Sequence, residues 1–464
     1  MKFTKFGKAL LVSALSAGVV IGAASCLQSY TVGYLYVTGT VTSGSNGNGI
    51  ISGFKIDHNT GFLTPVNGLP ISSGGANPVR AILVDASRFL YVLNRGVNAN
   101  GNSDCHGTAA PTVCTGANIT QFIVGANGIL TPQETFTTQG FNPFRMIADS
   151  SGSYIYVLER DSPDNANPSS KDGCALALTS VQTCGDITAF KIDQTTGRLS
   201  LVVNDQVTAA LGGSTGPLTY FPVPVNAIDF VLYGSNVLVL SGTPATGDTV
   251  FPYGYSSQNG QLSVSQNGVQ PLTNSQNANG MVNNATAIVS GGSYVFVLDN
   301  EPIEVNGAVA SQSQILPYSL ISGGALQAAV TGPIPDDANQ SNPIYLLVEN
   351  KGKWFYVANQ GNLSTPTIPL SGLSGYVINS PFDPSEIAGT PINFGSGGGP
   401  QCLVEDPSNQ FFYTANFNDS TVTGQMLNQQ AGNLTPLSQT SKAPSQYTLQ
   451  GPPTWCLVDG RIGG

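Results

Sequence analysis

The chain has 464 residues, a formal net charge of −10 and only 9% charged residues, while glycine (55) and proline (30) are abundant. This acidic balance argues against nucleic acid and anionic membrane surfaces as partners, because both attract clusters of basic residues. Aromatic and β-branched residues recur along the whole chain. The composition therefore indicates a turn-rich all-β protein and not a disordered one.

The first 25 residues have the pattern of a secretory signal peptide. Three lysines within the first eight residues precede an apolar segment from Ala9 to Ala24. The run that ends at Cys26, with the letters AASC, resembles a bacterial lipobox, in which the cysteine is lipidated and becomes the mature N-terminus. The alternative is ordinary cleavage near Ala24, which would leave Cys26 as a free thiol. We expect an exported, membrane-anchored lipoprotein of the bacterial cell envelope, periplasmic or at the cell surface.

The rest of the chain repeats one four-stranded unit. In its clearest copy, Pro143–Leu158 is predicted to form two strands with a polar turn, Ile187–Asp193 a third strand, and Leu199 to start a fourth after a turn at Gly197. Four antiparallel strands in this order form one blade of a β-propeller. The second strand of each unit is marked by an anchor residue, and the anchors lie 55 to 82 residues apart: Tyr36, Tyr91, Tyr156, Leu238, Phe296, Tyr356 and Tyr413.

Proline marks where the inner strands begin. Pro78, Pro143, Pro343 and Pro400 each precede their anchor by 13 residues, and proline is tolerated at the first residue of a strand. The first unit has no inner strand of its own, but the chain ends with Pro453–Asp459, which matches Pro400–Asp406. We therefore predict an all-β, seven-bladed propeller, closed by the C-terminal strand completing the first blade. The predicted domains are a signal peptide (1–25), a lipidated tether (26–33) and a single propeller (34–464).

The repeats also resemble a known family. The strands Tyr91–Asn94, Tyr356–Asn359 and Tyr413–Asn416 are similar to the Tyr-Val-Thr-Asn repeats of seven-bladed lactonase-like propellers, and Phe54–Asp57 resembles their third strand. That family includes 6-phosphogluconolactonases and a muconate-lactonising enzyme. The resemblance implies the fold more specifically than the activity.

This sequence differs from the family pattern at the positions where catalytic residues are expected. Lactonases of this type carry an Arg-His pair at the start of one inner strand, whereas here Phe144 precedes Arg145 and no strand offers a histidine. A lactonase needs a base to activate water and a cation to hold the oxyanion. Arg145 and Glu159 are the candidate catalytic residues for these two roles.

A binding site on the same face of the propeller is the broader hypothesis. Two arginines in equivalent positions of neighbouring blades, with aromatic residues at the same level, suit a carboxylate or sugar-acid ligand. The alternative is that both arginines are paired with carboxylates and only hold the blades together. The candidate ligand-binding residues are Arg80, Arg145, Tyr345, Asn359, Asn416 and Trp455.

Six cysteines remain after Cys26, as expected for disulfides in an exported chain. We predict the pairs Cys105–Cys114 and Cys174–Cys184, and favour Cys402–Cys456 as a third across the ring closure. In that third pair, Cys456 lies one residue later than Cys402 when both are counted from the proline, so the register argues against it. No cysteine pair has zinc spacing, so neither a metal nor a cofactor is expected.

These observations favour an exported, lipid-anchored, lactonase-like propeller. We expect it to act as a monomeric binding or scaffold module for a small anionic or saccharide ligand or for an envelope protein. The alternative is a hydrolase that opens a sugar lactone. Contact with the membrane is expected only through the lipid anchor.

Overall fold

The computed structural model of the chain describes residues 30–41, 48–86, 88–163, 184–211, 216–224, 226–242, 247–265, 269–274, 280–305, 308–361, 371–379, 382–395, 398–437 and 446–460. The predicted signal peptide and Cys26 lie outside these residues, as does Cys174. No helix within the described part of the chain is both long enough and apolar enough to cross a bilayer.

The seven predicted blades are present, each built from antiparallel strands that follow one another from the centre outwards. The propeller prediction is thereby confirmed. Blades 1 and 2 contain β1 (Thr31–Thr40), β2 (Asn48–Asp57), β3 (Leu63–Pro65), β4 (Ile71–Ala76), β5 (Pro78–Val84), β6 (Phe89–Asn94), β7 (Asn118–Val124) and β8 (Leu130–Phe136). Blades 3 and 4 contain β9 (Phe141–Ala148), β10 (Tyr154–Asp161), β11 (Gly185–Ile192), β12 (Leu199–Leu201), β13 (Tyr220–Val223), β14 (Ala227–Tyr233), β15 (Asn236–Ser241), β16 (Thr249–Tyr255), β17 (Leu262–Val264) and β18 (Gln270–Pro271).

The remaining blades follow the same plan. Blade 5 and a two-stranded hairpin beside it contain β19 (Ala285–Gly291), β20 (Tyr294–Asp299), β21 (Ile303–Val305), β22 (Ala308–Ser311), β23 (Gln314–Leu320), β24 (Leu326–Ala328) and β25 (Ile334–Pro335). Blades 6 and 7 and the closing strand contain β26 (Pro343–Val348), β27 (Trp354–Asn359), β28 (Ser371–Val377), β29 (Ser385–Glu386), β30 (Ile392–Gly395), β31 (Pro400–Glu405), β32 (Phe411–Asn416), β33 (Thr421–Leu427), β34 (Leu434–Pro436), β35 (Tyr447–Thr448) and β36 (Pro453–Asp459). Within the ranges given above, two segments are helical: α1 (Asp205–Leu211) and a 3₁₀ turn (Ser322–Gly324).

The apolar core lies between the blades. Buried side chains in the described residues form seven clusters, one at each interface between neighbouring blades. All seven anchor residues are buried, as their positions in the middle of second strands require. The anchors also link the blades, because five tyrosine hydroxyls donate to a hairpin glycine carbonyl of the next blade: Tyr36 to Gly128 (2.8 Å), Tyr91 to Gly197, Tyr156 to Gly260 (3.0 Å), Tyr356 to Gly432 (2.5 Å) and Tyr413 to Gly61 (2.7 Å).

These contacts explain why the hairpins carry glycine. Gly128, for example, has a φ of +79°, and an added Cβ would lie 2.2 Å from the ring of Tyr34. Both the backbone conformation and the close approach of an aromatic ring therefore require glycine at this position. The other two anchors, Leu238 and Phe296, are equally buried but have no hydroxyl group with which to form this hydrogen bond.

The C-terminal strand closes the ring as predicted. β36 pairs with β1 in the register Tyr36 to Leu457 and Thr38 to Trp455, and it lies innermost in blade 1. β1 begins at Thr31, which pairs with Asp57 across a β-bulge. A closed ring leaves no unpaired inner edge between the first and last blades.

Two disulfides lie within the described residues. Cys105 bonds to Cys114 with a Cα–Cα distance of 5.3 Å, and Cys402 bonds to Cys456 across the ring closure with a Cα–Cα distance of 5.7 Å. The one-residue offset between Cys402 and Cys456 favours their bond instead of preventing it. Successive side chains leave opposite faces of a strand, and neighbouring blades present opposite faces to each other. The predicted pair Cys174–Cys184 lies partly outside the described residues.

Candidate functional site

The seven inner strands surround a central cavity of about 630 Å³. In every blade the pairing of the inner strand with the second strand slips by one residue near its start. This β-bulge sets a common register, and the first paired residue after it occupies the same level in each blade: Arg80, Arg145, Asp229, Ala287, Tyr345, Cys402 and Trp455. Five of them, all but Ala287 and Cys402, line the cavity. We call this level the arginine end of the cavity.

Arg80 is held by aromatic rings at the arginine end. Its guanidinium carbon lies 3.6 Å from the centre of the Trp455 ring, and the Tyr345 ring meets that of Trp455 edge-on at 5.3 Å. Among the described residues, Arg80 has neither an ion pair nor a hydrogen-bond acceptor. Burial, and next the charge of Arg145, lowers the pKa of Arg80 to about 9, so it is still a cation at neutral pH. A partly buried cation without a carboxylate partner is an attractive contact for an anion.

Arg145 is in a different state, because it is paired. Its Nε donates to Oδ1 of Asp229 at 3.1 Å, and the same carboxylate accepts the backbone N–H groups of Phe230 and Ile288 at 3.0 and 3.3 Å. Arg145 therefore matches the alternative that the arginines pair with carboxylates and hold the blades together. Arg80, which has no such partner among the described residues, matches the ligand-binding hypothesis. The pair links the inner strands of blades 3, 4 and 5.

Of the two predicted catalytic residues, Arg145 lines the cavity and Glu159 does not. The Glu159 side chain is fully buried within blade 3, where it accepts the hydroxyl of Thr188 at 2.6 Å and the backbone N–H of Gly140 at 3.0 Å. It lies beside Asp186, and burial raises the pKa of both carboxyl groups. Glu159 lies near the end of β10, opposite Asp186 of β11, and its side chain lies inside the sheet and not on the cavity wall.

Asn359 and Asn416 are also absent from the cavity lining. Asn359 donates to the hydroxyl of Ser374 at 3.0 Å, and Asn416 donates to the hydroxyls of Thr421 and Thr423 at 3.2 and 3.3 Å. Both asparagines are buried in their own blades. They tie the second strand to the third, which gives the Asn of the repeat motif a structural role in these blades.

Two cavity residues were not found from the sequence. Asp229 was missed because blade 4 has Ala227 where five of the other six inner strands have proline, and because its anchor is Leu238, so neither marker showed its register. Alignment of Asp229 with Arg80 and Arg145 on the position after the bulge was the available signal. Glu405 lies at the opposite end of the cavity and had no motif to mark it.

Glu405 belongs to an acidic end of the cavity. Its Oε2 accepts the backbone N–H of Asn350 at 2.9 Å, and its Oε1 accepts the side chain of Asn409. Burial, together with the nearby charges of Glu349 and Asp406, raises the pKa of Glu405 to about 7. The cavity thus has a cationic end and an acidic end, separated by apolar residues such as Ile82 and Leu347.

The fold and the cavity define the chain as a seven-bladed β-propeller with an arginine-containing central site. Solved structures with a similar fold include one from Bacteroides fragilis that is provisionally assigned as a 6-phosphogluconolactonase. It is 14% identical over 92% of this chain and 98% of that one, with a TM-score of 0.57.

A periplasmic gluconolactonase from Pseudomonas aeruginosa is also similar, at 14% identity over 93% of this chain and 99% of that one, with a TM-score of 0.58. A protein from Lactobacillus plantarum is 14% identical over 93% of this chain and 99% of that one, with a TM-score of 0.55. No protein-family model and no curated protein matches the sequence. At these identities, the similarity concerns the fold.

Proposed function

We propose that this protein binds a small sugar acid, or a related carboxylate anion, at the arginine end of its central cavity. The observation that carries the proposal is Arg80, a cavity-lining cation without an acceptor among the described residues. A carboxylate would supply the missing negative charge. The cavity volume of about 630 Å³ is in the range of small-molecule sites.

The contact with Trp455 supports a directed interaction with the ligand. Stacking occupies the flat face of the guanidinium, whereas its N–H donors lie in the plane of the group and point away from the edges. These donors are therefore available to both oxygens of a carboxylate. Tyr345 adds a ring and a hydroxyl beside them, which suits the hydroxyl groups and the carbon skeleton of a sugar acid.

The proposed location is the cell envelope. Its support is the signal-like N-terminus, the lipobox-like run before Cys26, and two disulfides, which persist in oxidising compartments. A membrane-anchored, monomeric protein would present its cavity to ligands outside the cytoplasm. Fractionation of a Cys26→Ala variant tests the anchor, because the variant is expected in the soluble fraction.

Lactone hydrolysis is a second candidate. It is favoured by the fold shared with the P. aeruginosa gluconolactonase and by the fact that ring opening of a lactone yields a sugar acid. Water would attack the lactone carbonyl, a base would accept its proton, and the ring oxygen would leave and be protonated. Arg80 could hold the developing oxyanion. Asp229 is the carboxylate at the arginine end of the cavity that could act as the base, whereas Glu159 is buried elsewhere.

Calorimetric titration with gluconate and with glucose tests the proposed binding. Gluconate is expected to bind, whereas glucose, which lacks the carboxylate, is expected to bind much more weakly. Equal affinity for the two would overturn the proposal. Hydrolysis of glucono-δ-lactone above its spontaneous rate would assign the second function, and an unchanged rate would leave binding alone.

A further inference from the structure

Four of the seven arginines of this acidic protein converge on blades 2 and 3. Arg80 and Arg145 line the cavity, Arg95 directly follows the second strand of blade 2, and Arg160 lies on the second strand of blade 3. The guanidinium carbons of Arg145 and Arg160 lie 5.6 and 5.3 Å from the centre of the Phe144 ring, and Arg95 donates to the carbonyl of Pro143 in the same strand as Arg145. Burial lowers the pKa of Arg80, Arg95 and Arg160, and the charge of Arg145 lowers it further. The cations therefore form one continuous group that extends from the cavity outwards.

The pairing of these arginines differs from that of arginines elsewhere on the propeller. Arg88 pairs with Asp85 at 2.9 Å, and Arg198 pairs with Glu134 at 3.0 Å. In the converging group only Arg145 has a carboxylate partner, Asp229, within the part of the chain that the structure describes. Arg80, Arg95 and Arg160 thus carry positive charge without a direct ion pair among the described residues, which makes them available to an anionic ligand.

Arg95 and Arg160 form what we call the rim pair, beside the loop that the Cys105–Cys114 disulfide closes. Arg95 donates to the carbonyls of Pro143 and Ser103 at 3.3 and 3.2 Å, and Arg160 donates to the carbonyl of Cys105 at 3.4 Å. The Arg160 guanidinium carbon lies 5.3 Å from the centre of the buried Phe144 ring. Each guanidinium has five N–H groups, so donors remain for a ligand.

The backbone around the rim pair is fixed. Asn142 donates to the carbonyl of Gly107 at 2.7 Å and accepts the backbone N–H of Cys114 at 3.0 Å, which holds the disulfide loop against blade 3. Asp161 accepts the Asn142 side chain at 2.7 Å. The charge of Asp104 raises the pKa of Arg95 and Arg160, but burial and the neighbouring arginines outweigh it. The rim pair thus presents positive charge from a supported position.

We propose that the rim pair is a second anion subsite, so that the ligand carries at least two negative groups, one at Arg80 and one between Arg95 and Arg160. This inference rests on the proposed function, because it extends the same site outwards. The ligand class is a sugar acid with a second carboxylate or a phosphate. Arg145, neutralised by Asp229, lies between the two subsites.

Three related probes test this inference by calorimetry at low ionic strength. Galacturonate has one carboxylate, digalacturonate has two, and galacturonate 1-phosphate has a carboxylate and a phosphate. At least one of the two multiply charged probes is expected to bind about tenfold or more tightly than galacturonate, since a second charged contact contributes about this much. Whichever probe gains identifies the second group as carboxylate or phosphate.

Variants separate charge recognition from support of the loop. Arg160→Gln should abolish the tighter binding of the multiply charged probe and leave the affinity for galacturonate unchanged. Arg160→Lys should restore part of that tighter binding. The control Arg198→Gln, which removes an arginine that is paired with Glu134, should bind all probes as the wild type does. If galacturonate binds but neither multiply charged probe binds more tightly, the rim subsite is wrong and the proposed function stands. The rim subsite is also wrong if Arg160→Gln weakens all three probes equally. If no probe binds, both proposals fail.

Discussion

The two ends of the central cavity are built from the same seven inner strands, yet their charged groups are used differently. At the arginine end, Arg80 rests on Trp455 without an acceptor among the described residues. At the acidic end, the carboxylates are bound by the turns that join first and second strands. Asp149 accepts the backbone N–H groups of Ser153 and Tyr154, each at 2.8 Å. Asp406 accepts those of Gln410 and Phe411 at 2.8 and 2.6 Å.

This difference in hydrogen bonding indicates different roles for the charged groups at the two ends of the inner strands. A carboxylate that accepts several backbone N–H groups is already satisfied and fixes a turn. A guanidinium that only stacks on a ring still has all its in-plane donors. We therefore assign the acidic end to folding and the arginine end to recognition, and the two ends should respond differently to substitution.

The largest expected effect of a substitution concerns the strands that connect both ends. In a Cys402→Ala/Cys456→Ala variant, loss of the disulfide, which spans 54 residues, is expected to lower the free energy of unfolding by about 4 kcal/mol. Trp455 adjoins Cys456, so ligand affinity at the arginine end should fall as well. Urea denaturation with and without a reductant measures the effect. Unchanged stability would show that β-strand pairing alone closes the ring.

The next largest effect should appear at the acidic end alone. Asp406→Ala leaves the buried N–H groups of Gln410 and Phe411 without their acceptor, so we expect a loss of about 3 kcal/mol in stability. Gluconate affinity of the folded variant should be unchanged. The matched control is Asp193→Ala, which removes the same kind of cap from an exposed outer hairpin, where Thr195 and Thr196 donate to it at 3.0 and 2.8 Å. The control variant should lose much less stability. Similar losses in both variants would contradict the structural assignment of the acidic end.

The pH dependence of stability gives a smaller effect. Because burial raises the pKa of Glu405 from its usual 4.5 to about 7, the folded protein binds this proton more tightly than the unfolded chain does. The resulting stability is complete below pH 4.5 and is lost as the pH rises through 7. After allowance for solvent screening we expect about 1–2 kcal/mol. Glu405→Gln should flatten this part of the stability profile, measured by denaturation between pH 4.5 and 8. Parallel profiles for both proteins would contradict the assignment.

The fold could be predicted from the sequence because the recurring residues of the repeat depend on the position and conformation of the backbone. Buried anchors, hairpin glycines and strand-opening prolines each follow from a local steric requirement, and together they predicted seven blades and their closure. The prolines also gave the inner-strand register, which correctly placed Arg80, Arg145, Tyr345 and Trp455 at one level.

The direction of side chains, in contrast, could not be predicted from the sequence. Glu159, Asn359 and Asn416 end their second strands on the expected level, but their side chains bond within the sheet, which a motif does not reveal. Asp229 was missed because its blade lacks both the proline and the aromatic anchor. The pairing of Arg145 with Asp229 joins residues 84 positions apart, and only the closed ring brings them together.

The most direct test of the account is the gluconate affinity of Arg80→Gln, measured by calorimetry beside Arg88→Gln. Arg88 is the matched control because it lies in the same blade but pairs with Asp85. We expect Arg80→Gln to bind gluconate about 30- to 150-fold more weakly, as for loss of a charged hydrogen-bonding partner, and Arg88→Gln to bind as the wild type does. Wild-type affinity in Arg80→Gln would contradict the central claim that this unpaired arginine is the anion-binding group.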